Sequence, residues 1–229
     1  MCGRFTLTVD PEQLAVAFSL TTVPDFGPRY NIAPTQQALV ITADQPREAQ
    51  FMRWGLIPSW SKDAAISAKL INARGETLAE KPSFRSAFEH RRCLIPADSF
   101  YEWMSLPAGK QPVRILLKSE EPFALAGLWS RWTDPARAVE VRTCTIVTTE
   151  PNALLQPVHD RMPVILTAAG EDQWLAPGYN RSALAELLRP YPANEMTYYP
   201  VSPRLNSGRV EDADLIRPLA AGPAAPPCR

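Results

Sequence analysis

Position 2 is a cysteine, in the opening run Met1-Cys2-Gly3-Arg4-Phe5. Cysteine is small, so an initiator methionine in front of it is readily clipped. Cys2 would then carry a thiol and a free α-amine on one carbon. The ordinary pKa of an α-amine is roughly 7.7–8.0 and that of a thiol roughly 8.5, against roughly 10.4 for lysine. Both groups therefore keep a usable nucleophilic fraction near neutral pH. An aldehyde could form an imine with the amine, and the thiol could close a five-membered thiazolidine ring on it. That closure is fast because the second nucleophile is already in place. The plainer reading is a chance cysteine with no chemistry. Gly3 allows close passage of backbone beside a ligand. Arg4 suits a phosphate contact or a surface ion pair.

Other residues could serve such chemistry. Glu102 lies between Tyr101 and Trp103. Burial there would raise its pKa and suit it to proton transfer; on an open strand it would simply face solvent. His159 opens the run His159-Asp160-Arg161-Met162-Pro163. It is either a proton shuttle or a capping or core histidine. The second histidine, His90, sits in a charged run that reads as an exposed turn. Residues 71–77 place Asn72, Arg74 and Glu76 within a few positions. Arg74 and Glu76 could be a surface ion pair of little energetic value. Trp54, Trp60 and Trp103 are core residues or stacking platforms; stacking would contribute roughly 1–3 kcal/mol per base. Pro34 punctuates a polar loop over 29–36.

Short elements must carry these residues. The 24 prolines are spread along all 229 residues and favour strands and loops over long helices. A helix is expected from Pro11 to about Phe18, capped by Asp10 with Gln13 three residues on. Strands are expected over 38–41, 51–54, 93–96, 113–117, 124–128, 143–148 and 163–166. Further helical stretches are expected over 153–155, 171–174 and 182–188. The mixture indicates an α+β fold with one core. No repeat or composition shift divides residues 1–219, and the Ala/Pro-rich residues 220–229 read as a disordered tail.

Composition narrows the function. Hydrophobic residues make up 45% of the chain, enough for a core. Basic and acidic side chains number 24 each, so the net charge is zero. A general nucleic-acid binder would be basic overall, so any DNA site must be a local patch. Arginine far outnumbers lysine among the basic residues, which suits phosphate contact but also follows from coding bias. Cys2, Cys93, Cys144 and Cys228 form no close pair and there are two histidines, which argues against zinc or a disulfide framework. No metal or cofactor is expected. No apolar leader or long apolar span is evident, so a soluble cytoplasmic protein that is not secreted is expected.

Eight segments occur in an order that resembles the SRAP family, the SOS response-associated peptidases. They are CGRF at 2–5, RYNIAPTQ at 29–36, RWGLIPSW at 53–60, INARGET at 71–77, FRSAF at 84–88, CLIPADSFYEW at 93–103, TTEPN at 148–152 and HDRMPVIL at 159–166. The resemblance runs to about Pro218; near Leu205–Arg209 the family pattern is less clear. It implies a compact α+β domain with a β-barrel-like core and peripheral short helices. It also implies a positively charged groove for single-stranded DNA containing abasic sites, and a covalent thiazolidine link through Cys2. By the same resemblance Asn72 holds the N-terminal residue and the sugar, Glu102 moves protons, and His159 assists ring opening and imine chemistry. Arg74 and Arg161 match residues that contact phosphates, and Trp103, Trp54 and Pro34 line the groove. Arg4, Arg85 and Thr149 are further DNA-contacting positions by the same resemblance. A monomer is expected, nucleoid-associated when bound to damaged DNA. Two other readings stand beside this one: a thiol peptidase that removes its own Met1, and a non-covalent single-strand binder. An imine would also acidify the neighbouring proton, so abasic-site lyase activity is a further expectation.

Overall fold

A computed structural model describes residues 2–219. Its strands are β1 (Arg4–Leu7), β2 (Arg29–Ile32), β3 (Gln37–Thr42), β4 (Gln45–Trp54), β5 (Asn72–Arg74), β6 (Arg92–Ala97) and β7 (Ser99–Leu106). They continue with β8 (Gly109–Leu117), β9 (Phe123–Thr133), β10 (Glu140–Thr149), β11 (Met162–Pro163), β12 (Ile165–Leu166) and β13 (Met196–Pro200). Four short α-helices lie outside the sheets: α1 (Pro11–Ala17), α2 (Arg85–His90), α3 (Ala168–Leu175) and α4 (Arg181–Glu186).

Five strands close a barrel. β3 pairs β4 and β6, β6 pairs β9, β9 pairs β10, and β10 returns to β4 as a parallel neighbour. Closure leaves these strands no free edge and buries one face of each. In β9 every residue from Phe123 to Ser130 is buried. Gly127 is required there: a Cβ would come within 2.9 Å of the Cys93 sulfur and of Ile95. A second sheet runs β13-β8-β7-β1-β2.

The two sheets meet where β6 runs into β7 through Asp98. The Asp98 N–H donates to the Thr6 carbonyl at 3.0 Å. Its carboxylate accepts from the Thr6 and Thr8 hydroxyls. These bonds dock β1 against β7 in the register Arg4↔Tyr101, Phe5↔Phe100. The register runs the residues before Arg4 alongside Glu102 and Trp103.

The remaining site segments hang on β10. β5 pairs it in parallel, with Asn72 opposite Ile146 and Arg74 opposite Thr148. β11 pairs the same end of β10, Met162 opposite Thr149, which returns the 159–161 turn to the same place. Trp54, at the end of β4, is fully buried and donates to the Ile71 carbonyl at 2.8 Å. It also packs edge-on against Phe5 with ring centroids 5.1 Å apart. One buried indole thus braces both the segment leading to Asn72 and the strand leading back to Cys2.

Most expected elements are present. α1 forms with both halves of its capping box, Asp10 to the Gln13 amide and Gln13 back to the Asp10 amide. The seven expected strands lie inside observed ones, the last split at Val164, whose carbonyl and N–H bond Ala126 and Val147 between β11 and β12. The helix expected over 153–155 is a run of turns instead. The Asn152 side chain caps the run at the Leu155 amide, 3.0 Å away, but Pro157 has no N–H and blocks its propagation. The expected tail over 220–229 lies outside the described residues. Among the described residues no helix is long and apolar enough to cross a membrane.

Candidate active site

Cys2 is fully buried, and its reduced thiol lies 3.7 Å from the Arg4 carbonyl. The Asn72 side-chain amide donates to the Cys2 carbonyl at 2.8 Å. Asn72 Oδ1 is buried and has no hydrogen-bond partner among the described residues. One strand end therefore anchors the start of the chain, and keeps an acceptor in reserve beside it.

Glu102 closes the other side. Its carboxyl is 4% exposed, and burial raises its pKa above the ordinary carboxylate range, partly offset by nearby positive charge including His159. Burial, aided by the negative charge of Glu102, also pushes the Cys2 thiol well up. The thiol is thus held neutral in the free site, beside a carboxyl that can exchange a proton. His159 Nε2 stands 4.0 Å from Glu102 Oε2. That pair spans the distance over which a proton could be relayed between solvent and the buried acid, since His159 is partly exposed and Glu102 is not.

The arginines divide. Arg74 is exposed, and its guanidinium makes no hydrogen bond or ion pair among the described residues, so it is free for an external anion. Arg161 is engaged instead. Its fork meets both oxygens of Glu76, at 2.6 and 2.9 Å, and its NH2 also donates to the Thr148 carbonyl at 2.7 Å. The surface pair expected between Arg74 and Glu76 is therefore replaced by Arg161–Glu76. Arg4 is half-buried, and burial lowers its pKa. A Cβ at Gly208 would reach within 3.1 Å of its guanidinium, so glycine leaves that space open. Arg85 is exposed at the start of α2.

Among the other expected groove residues, Trp103 is partly exposed and its indole N–H donates to Asn206 Oδ1 at 2.7 Å. Pro34 is partly exposed too. Trp54 corrects the expectation: it has no exposed face to offer a base, and works inside the fold as described above. Thr149 is also buried, and its hydroxyl is spent on the Leu188 carbonyl at 2.9 Å. The sequence reading missed the segment after β13. Asn206 orients Trp103, and the Asn31 side chain donates to the Ser207 and Val210 carbonyls. Glu211 accepts from the Tyr30 and Asn31 amides and from Arg29. The paired polar residues Asn31 and Gln36, both inside the 29–36 segment, were the available signal for a partner there. Among the described residues no three His, Cys, Asp or Glu side chains gather as a metal ion would need.

The class of protein is thus a closed-barrel domain whose buried second residue is a cysteine flanked by an amide, a raised carboxyl and an imidazole. The sequence profile described as SOS response associated peptidase (SRAP) matches residues 1–208, and the chain belongs to that family. It is similar to the abasic site processing protein YoqW of Bacillus subtilis, 47% identical over 222 residues that cover 94% of this chain and 99% of the relative. It is also similar to the abasic site processing protein YobE of the same organism, 46% identical over 213 residues, 90% of this chain and 97% of that one. A solved structure of a Bacteroides thetaiotaomicron protein superposes with a TM-score of 0.87 at 28% identity, covering 96% of this chain and all of the other.

Proposed function

We propose that this chain caps abasic sites in single-stranded DNA by bonding covalently through Cys2, once Met1 is removed. The names of its relatives support abasic-site processing. The observation that carries the covalent reading is the anchoring of Cys2 by Asn72 at 2.8 Å beside the raised carboxyl of Glu102.

The chemistry then balances. A ring-opened abasic sugar presents an aldehyde. The Cys2 α-amine adds to its carbon, and the resulting carbinolamine loses one water. Glu102, whose protonated form burial favours, donates the proton that lets hydroxide leave as water. The thiol sulfur then attacks the imine carbon and its proton passes by way of the Glu102 carboxylate to the ring nitrogen. One C–N and one C–S bond form, and one water is released in total. His159 returns protons between the site and solvent. Asn72 fixes the amine-bearing residue, so that the step is effectively intramolecular. Arg74, Arg4 and the partly exposed faces of Trp103 and Pro34 carry the strand, Arg74 by phosphate contact. The adduct shields the site from strand cleavage during the DNA damage response.

A denaturing gel tests this with an oligonucleotide carrying one abasic site. A heat-stable shifted band is expected from the wild-type protein and from neither Cys2→Ala nor an undamaged strand. A band that survives Cys2→Ala would place the bond elsewhere. Turnover of peptide substrates that requires Cys2, without any shifted band, would favour a peptidase.

A further inference from the structure

His159 Nδ1 is approached by two groups that require opposite things of it. The Arg161 backbone N–H points at Nδ1 from 3.0 Å and needs a lone pair there. The Asp160 carboxylate lies 2.7 Å from the same atom and needs a proton there. Both cannot be satisfied by one form of the ring. From the opposite side Nε2 faces Glu102 of β7 at 4.0 Å. Which nitrogen carries the proton of the neutral ring therefore decides whether His159 offers Glu102 a donor or an acceptor.

Arg161 holds the balance. Its side chain is locked by two bonds to Glu76 and one to the Thr148 carbonyl, which ties down the residue that carries the amide. Asp160 is 84% exposed on its side chain, so water weakens its claim on Nδ1. Glu76 itself lies in the turn Gly75–Thr77, which directly follows β5. The strand that carries Asn72 thus also holds the segment that carries His159.

We infer that Glu76 is a positioning residue for His159: by clamping Arg161 it keeps the Arg161 amide on Nδ1, and so keeps the proton of the neutral ring on Nε2, facing Glu102. The consequence for cross-linking rests on the function proposed above; the tautomer does not.

The chain has two histidines, His90 and His159, so nitrogen NMR of the free protein resolves both rings without DNA. In the wild-type protein the neutral His159 ring is expected as the Nε2–H form. In Glu76→Ala it is expected to become a mixture with the Nδ1–H form now bonded to Asp160, while His90 does not change. Glu76→Gln keeps one oxygen toward Arg161 and is expected to fall between. Single-turnover cross-linking should slow about tenfold in Glu76→Ala, less than the 10²–10⁴ that an acid–base group itself contributes. Half-saturation by DNA should not weaken, because the change frees the Arg161 fork for phosphate. An unchanged His159 tautomer in folded Glu76→Ala overturns the inference. Weakened DNA saturation at an unchanged maximal rate also overturns it, because Glu76 would then serve binding rather than His159. Absence of cross-linking in the wild-type protein sinks the proposed function and leaves the tautomer test standing.

Discussion

Replacing Asn72 by alanine probes the site at its most specific contact. The amide donates to the Cys2 carbonyl at 2.8 Å, and Cys2 is fully buried. Removing it leaves that carbonyl without its donor, at a cost of about 1–3 kcal/mol. For a chain of this length each kcal/mol lowers the melting temperature by about 2–4 °C. The effect on rate is larger, because the lost bond also frees Cys2 to move. A displacement of about 1 Å at a reacting group costs about a hundredfold. Cross-linking measured by single-turnover quenching on a denaturing gel should therefore slow about a hundredfold while the protein stays folded. Asn72→Asp is the sharper variant: it keeps the size but turns an acceptor toward an acceptor, and should slow the reaction at least as much. If Asn72→Ala melts lower but cross-links at the wild-type rate, Asn72 is only a structural brace and the positioning argument fails.

Three further outcomes follow from the same geometry. Glu102→Gln should slow cross-linking by about 10²–10⁴, the range of a proton-transfer group, and should remove the alkaline limb that loss of the Glu102 proton gives to the pH–rate profile. Arg74→Ala should weaken DNA binding evenly across sequences and lower the slope of log affinity against log salt by about 0.7, one phosphate on a single strand, because its guanidinium is exposed and makes no hydrogen bond or ion pair among the described residues. Glu171 should make stability depend on pH. Burial, with the neighbouring charge of Asp172, pushes its carboxyl up to about 7. The folded state therefore keeps a proton that the unfolded chain loses near its ordinary value of about 4.3. The stability this gives is complete below that value and is lost as pH rises through about 7. Melting followed from pH 4 to pH 8 should fall less in Glu171→Gln than in the wild-type protein, and equal slopes would exclude the effect.

Much of this fold was readable because local signals and tertiary structure agree. Asp10, Pro11 and Gln13 specify a helix start on their own, and the β-branched runs at 113–117 and 143–148 lie inside strands. The failures come where partners are distant. Arg4–Leu7 is a strand because Asp98 docks it, which no local pattern announces. Asn72–Arg74 is too short to show a period and forms by pairing with β10. The 153–155 turns look helical until Pro157 is weighed. At the site, the residue types in the 71–77, 93–103 and 159–166 segments were legible, and the structure brings Cys2, Asn72, Glu102 and His159 together. Exposure was not legible: Trp54 and Trp103 have the same local chemistry, yet one is core and the other partly open. Nor was the pairing of Arg161 with Glu76, 85 positions away in the chain.

The central claim is a specific bond, and intact mass spectrometry of the complex reads it directly. The account predicts an adduct with the mass of the protein lacking Met1, plus the abasic oligonucleotide, less one water. It predicts that borohydride leaves that mass unchanged, because a closed thiazolidine has no imine to reduce, and that peptide mapping places the link on Cys2. An adduct that retains Met1, gains two hydrogens on reduction, or maps to any other residue would contradict it.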